Sequence, residues 1–250
     1  MPGASEVEPT AVAALALRDP AAQAWLAGRQ DQSGAIDEDD GRVNGPTTAA
    51  LASLALGERS AARRSLDYAI AGRGLPLPNA KDPDRRTGWG WTTDTRSLVE
   101  PTARVLLAVN ALTPSNAAVR NEAVQLMRER QCADGGWNFG NASVYDVDLK
   151  SYPQTTAVAL IALQRAGGSL VRPALRYLER AWRLEPGGLT LAQTVVAFRL
   201  HGEHASLADP LAALEGLATQ QAFRSRPLAV AWAVLATGPD ALLEPLRSRA

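Results

Sequence analysis

The segment Gln131-Cys132-Ala133-Asp134-Gly135-Gly136-Trp137 is one turn of an internal repeat, and that repetition constrains the chain more than any other feature. It follows an amphipathic stretch, Asn116 to Arg130, and precedes a strongly apolar one, Thr155 to Leu163. The order of amphipathic helix, glycine-aromatic turn and apolar helix recurs along the chain. Such a unit buries its apolar face only against a neighbouring unit.

Six apolar helix starts carry the register: Glu8-Pro9-Thr10-Ala11, Gly45-Pro46-Thr47-Thr48-Ala49, Glu100-Pro101-Thr102-Ala103, Pro153-Gln154-Thr155-Thr156-Ala157, Leu191-Ala192-Gln193-Thr194 and Arg226-Pro227-Leu228-Ala229. Proline suits the first helical position, where its missing N–H would have had no partner. Ala49 to Leu56, Thr102 to Leu112, Thr194 to Leu200 and Leu228 to Ala236 are then apolar on nearly every side, so they must be buried on every side. The segments between them, Glu58 to Ala71, Asn116 to Arg130, Val171 to Arg183 and Leu207 to Gln221, carry arginine and glutamate on one face only. This alternation predicts an all-α fold, an α6/α6 toroid with an inner ring of six apolar helices and an outer ring of amphipathic ones. One domain is expected over residues 1–250.

Connections from apolar to amphipathic helices are short. Those in the other direction are long at Asp31 to Asn44, Gly72 to Val99 and Cys132 to Tyr152, which places all three on one rim. Loops of that length in a compact domain usually carry function.

The formal net charge is zero, which gives no field to attract nucleic acid or an anionic membrane. A single cysteine, Cys132, excludes an internal disulfide framework. The N-terminus lacks a signal-peptide pattern, and no stretch approaches the ~20 apolar residues of a membrane span. A cytoplasmic location is expected.

The long loops open alike. Gly136-Trp137-Asn138-Phe139 matches Gly88-Trp89-Gly90-Trp91, and Leu126-Met127-x3-Gln131-x3-Gly135-x-Trp137 parallels Trp25-Leu26-x3-Gln30-x3-Gly34-x-Ile36. In these residues the chain resembles the QW repeats of squalene-hopene cyclases and other class II terpene cyclases. It is similar, more closely, to bacterial prenyltransferase/squalene oxidase repeat proteins, and protein prenyltransferase β subunits share the toroid. The resemblance covers nearly the whole chain. It assigns Gln131, Gly136 and Trp137 to tying successive hairpins together. It also implies an isoprenoid-like or other apolar ligand in a central cavity, or a protein partner, held by Trp89, Trp91, Trp137, Phe139 and Tyr145.

The chemistry of those families is only partly represented. Class II cyclases protonate an olefin or epoxide from an Asp-x-Asp-Asp motif placed directly before an inner helix. Asp37-Glu38-Asp39-Asp40 fits as a string and makes Asp39 and Asp40 candidate acids, but Val43-Asn44-Gly45-Pro46 separates it from Thr47. No Asp-Asp-x-x-Asp is present to hold magnesium diphosphate. Cys132 is remote in the pattern from His201 and His204, so neither a zinc site nor another cofactor is expected. Glu100, expected at the cap before Pro101, is the remaining candidate, with Asp94 on the same rim and Glu8 in the equivalent place of the first repeat. It either compensates a helix dipole or serves as a proton donor facing an aromatic cavity. Three readings therefore stand: ligand binding, a small lyase or isomerase using a rim carboxylate, and an interaction toroid with a filled centre.

Overall fold

The computed structural model describes residues 6–37, 45–75 and 87–249. Its helices are α1 (Val7–Leu17), α2 (Pro20–Gly28), α3 (Pro46–Ala55), α4 (Arg59–Ala71), α5 (Val99–Leu112) and α6 (Ala117–Glu129). After a short hairpin, β1 (Ser143–Val144) and β2 (Val147–Asp148), come α7 (Pro153–Ala162), α8 (Gly168–Ala181), α9 (Gly188–His201), α10 (Ala208–Ala218), α11 (Gln221–Arg224) and α12 (Pro227–Thr237). The protein is all-α apart from that hairpin and a few isolated bridges among the described residues. Proline opens α2, α3, α7 and α12, where its ring presets the helical φ.

The two kinds of helix separate as their residues demand. In α5 every residue from Val99 to Ala111 is buried, and in α9 every residue from Thr190 to Phe198. By contrast α8 buries Leu170, Val171, Ala174, Tyr177, Leu178 and Ala181, one stripe at helical spacing, and turns its arginines outward. Each apolar helix packs on the next: α1 on α3, α3 on α5, α5 on α7, α7 on α9 and α9 on α12, and α12 returns to α1. The amphipathic helices α2, α4, α6, α8 and α10 pack on the apolar helix that precedes each of them.

The apolar helices begin at a common end. There Thr47 Oγ1 donates to Gly90 O at 3.0 Å and Val99 N to Phe139 O at 3.0 Å, so the segments entering α3, α5 and α7 touch. The opposite end is closed by residues 239–249. Gln164 Nε2 donates to Leu246 O at 2.8 Å, Arg18 Nη2 to Ala241 O at 2.7 Å, and Arg249 N to Asn110 O at 3.1 Å. Leu243 and Leu246 are buried beneath those bonds.

Candidate functional site: aromatic corners over a polar axis

The glycine-aromatic corners are fastened to neighbouring helices by hydrogen bonds, most fully at Trp137. Gln131 Nε2 donates to Gly135 O at 2.8 Å and to Leu170 O at 2.9 Å, fastening the turn to the start of α8. Gly135 has φ +98°, and a Cβ there would lie 2.8 Å from Pro173 O, so no other residue fits without displacing backbone. Trp137 N donates to Thr156 Oγ1 at 2.9 Å, and its indole Nε1 donates to Met127 O at 2.8 Å. In the first corner Gln30 Nε2 donates only to α4, to Ala61 O at 2.8 Å and to Ser65 Oγ at 2.7 Å, while Ile36 fills the tryptophan's place. In the middle corner Trp89 N donates to Thr102 Oγ1 at 3.1 Å. Thr102 and Thr156 thus accept corner amides, a role beyond marking the helix start.

The five aromatic candidates divide by burial. Trp89 and Trp137 are wholly enclosed, whereas Trp91, Phe139 and Tyr145 are 42%, 59% and 94% exposed. The Phe139 ring lies 5.0 Å from that of Tyr152. Tyr145 and Asp146 form the tip between β1 and β2 with φ of 50° and 60°, a turn whose two residues both lie in the left-handed region. Asp94, also left-handed at φ 62°, is exposed on the preceding loop. Asp39 and Asp40 lie outside the described residues.

Glu100 occupies the second position of α5 instead of the cap, because Val99 is already helical and Leu98 takes the cap. It is buried, and its Oε1 accepts from Arg104 Nη2 at 2.6 Å. The same Nη2 donates to Glu8 Oε1 at 2.7 Å, which ties α5 to α1. Burial works against charge on Arg104, but Glu100 and Glu8 outweigh it and hold the guanidinium above its usual pKa. The Trp91 ring covers this cluster, with the Arg104 Cζ 5.2 Å from its centroid. Pattern reading missed Arg104. Its signal was a cation inside an otherwise apolar helix, four residues after a glutamate.

Below the cluster, side chains from α3, α5, α7, α9 and α12, among them Leu51, Leu107, Ile161, Gln193 and Trp232, converge on a cavity of only about 10 Å³. A larger depression of about 210 Å³ lies elsewhere, between α8 and the end of α9, with Arg172, Arg176 and Glu203 at its edge and Phe198 in its wall.

The histidines sit at the end of α9. His201 Nε2 is 2.8 Å from Leu160 O, and burial holds its pKa below the usual value. Among the described residues no three histidine, cysteine, aspartate or glutamate side chains are placed to hold a metal. Cys132 is buried, and burial pushes its thiol pKa up, the opposite of a reactive thiolate. No described helix is long and apolar enough to cross a membrane. Compared with known proteins, the chain matches no family profile and no curated sequence.

Proposed function

We propose that the chain is an α6/α6 toroid of the terpene cyclase and prenyltransferase type with a filled centre, and that it acts as a protein-interaction module through its aromatic rim. The closed cycle of contacts from α1 through α12 supports the toroid, as does the alternation of fully and half-buried helices. The axial cavity carries the functional reading. Small-molecule sites occupy about 300–1,000 Å³, against about 10 Å³ here. An isoprenoid in the centre would have to displace side chains of five helices.

The apolar surface that does reach solvent is concentrated. Among the described residues Trp91, Phe139, Val144, Tyr145, Val147, Leu149 and Tyr152 are exposed on the loops that enter α5 and α7; elsewhere only Leu17 and Leu184 are comparable. Exposed apolar clusters of this kind mark association surfaces. The lyase or isomerase reading draws on Glu100, whose carboxylate is buried on the axis but is engaged by Arg104.

A photo-crosslinking residue placed at Tyr145, with Leu184 as the control position, tests the proposal in cells of the native host. The expected result is a discrete protein adduct from position 145 alone. Stabilisation by farnesyl diphosphate or squalene in a thermal-shift assay, abolished by Leu107→Trp, would overturn it in favour of a central ligand. Turnover of such a compound that Glu100→Gln removes, with the fold intact, would establish the enzyme.

A further inference from the structure

Two polar side chains on the axis lack partners that their burial requires. Arg104 is 8% exposed and Gln193 2% exposed, and both line the axial cavity. Arg104 spends Nη2 on Glu8 and Glu100, yet its buried Nη1 has no hydrogen-bond partner, and neither has the buried Oε1 of Gln193. A buried donor and a buried acceptor left open beside one cavity are costly unless something between them satisfies both.

The charges select what that occupant is. An anion would satisfy the Arg104 guanidinium but would repel the amide oxygen of Gln193, which needs a donor. A metal cation is equally disfavoured, because among the described residues the guanidinium is the only charged group lining the cavity. The occupant is therefore neutral and must both accept and donate. Its size is bounded by the cavity, whose volume of about 10 Å³ is roughly one water probe sphere.

We infer that the axis holds one resident water, which accepts from Arg104 Nη1 and donates to Gln193 Oε1 and so joins α5 to α9 across the centre. With the Arg104–Glu8 bond, this links α1, α5 and α9 through a single polar chain. The inference is independent of what the rim binds.

Two measurements on the full chain decide it. A crystal structure at about 1.5 Å should show a single density peak within about 3.2 Å of both atoms. A dry cavity, a direct bond between Arg104 and Gln193, or density larger than a water would overturn the inference. The second measurement turns on a sign. If the water is present, Gln193→Met removes the acceptor of its proton and leaves that donor buried and open, lowering the melting temperature by about 3 °C or more. If the cavity is dry, the same change removes an unsatisfied amide from the core, and the melting temperature holds or rises. Should Gln193→Met fail to fold, the density in the wild-type crystal decides alone.

Discussion

The backbone N–H of Trp137 donates to the Thr156 hydroxyl at 2.9 Å, and Trp89 makes the same bond to Thr102 at 3.1 Å. Each bond runs from a glycine-aromatic corner into the first turns of the apolar helix that follows, so the corner and the helix hold one another in place. Thr156 is fully buried, and replacing it leaves the Trp137 amide without a partner. Thr156→Val should destabilise the protein by about 1–3 kcal/mol. Urea unfolding with an unchanged m-value would register this as a loss of stability and not as a change in the denatured state.

Burial separates the aromatic residues into two roles, and mutation should reproduce the division. Trp137 is enclosed and bonded through its indole, so Trp137→Ala should cost about 3–5 kcal/mol. Tyr145 stands almost fully in solvent, and Tyr145→Ala should leave stability within about 0.5 kcal/mol. The same Tyr145→Ala change should weaken partner capture from a crosslinker placed at neighbouring Val147.

Arg104 is a buried cation held by two carboxylates. Arg104→Met would strand both, with an expected loss of about 3–5 kcal/mol. Glu100→Gln keeps an acceptor in place and leaves Glu8 as the counter-ion, so its cost should stay near 1 kcal/mol. Equal losses for the two variants in chemical denaturation would refute the view that the guanidinium is the hub.

His201 imposes a pH dependence of definite sign. Burial lowers its folded pKa below the ordinary imidazole value of 6.5, so the unfolded chain takes up a proton more readily. This contribution to stability is fully present above pH 6.5 and is lost as pH falls from there through the folded pKa. His201→Gln should flatten the stability profile in that window. Asp31 and Asp240, whose pKa values hydrogen bonds hold below 3.8, act only at lower pH.

The segment 239–249 covers the end where the apolar helices terminate, and it contributes Leu243 and Leu246 to the core. At about 1.5–3 kcal/mol for each buried leucine, truncation after Gly238 should remove at least about 3 kcal/mol. Increased binding of a hydrophobic dye and a lowered melting temperature would report the loss.

Helix positions were legible in the sequence because their signals are local. Proline at Pro46, Pro153 and Pro227 presets a helix start, and the run Thr102 to Leu112 has no polar face to show water. The corner repeat was legible for the same reason: Gln131, Gly135 and Trp137 lie within one turn, and Gln30, Gly34 and Ile36 reproduce their spacing. Which aromatics face water was not legible, since Trp89 and Trp91 differ by only two positions and only the packing around them distinguishes enclosure from exposure. Arg104 meets Glu8 across 96 residues, and Gln164 meets Leu246 across 82. No periodicity encodes contacts of that span. Local propensity and apolar pattern therefore determined the helices and their corners, while the small cavity among the apolar helices, the buried charge beside it and the segment covering the helix ends were decided only when distant side chains competed for the same space.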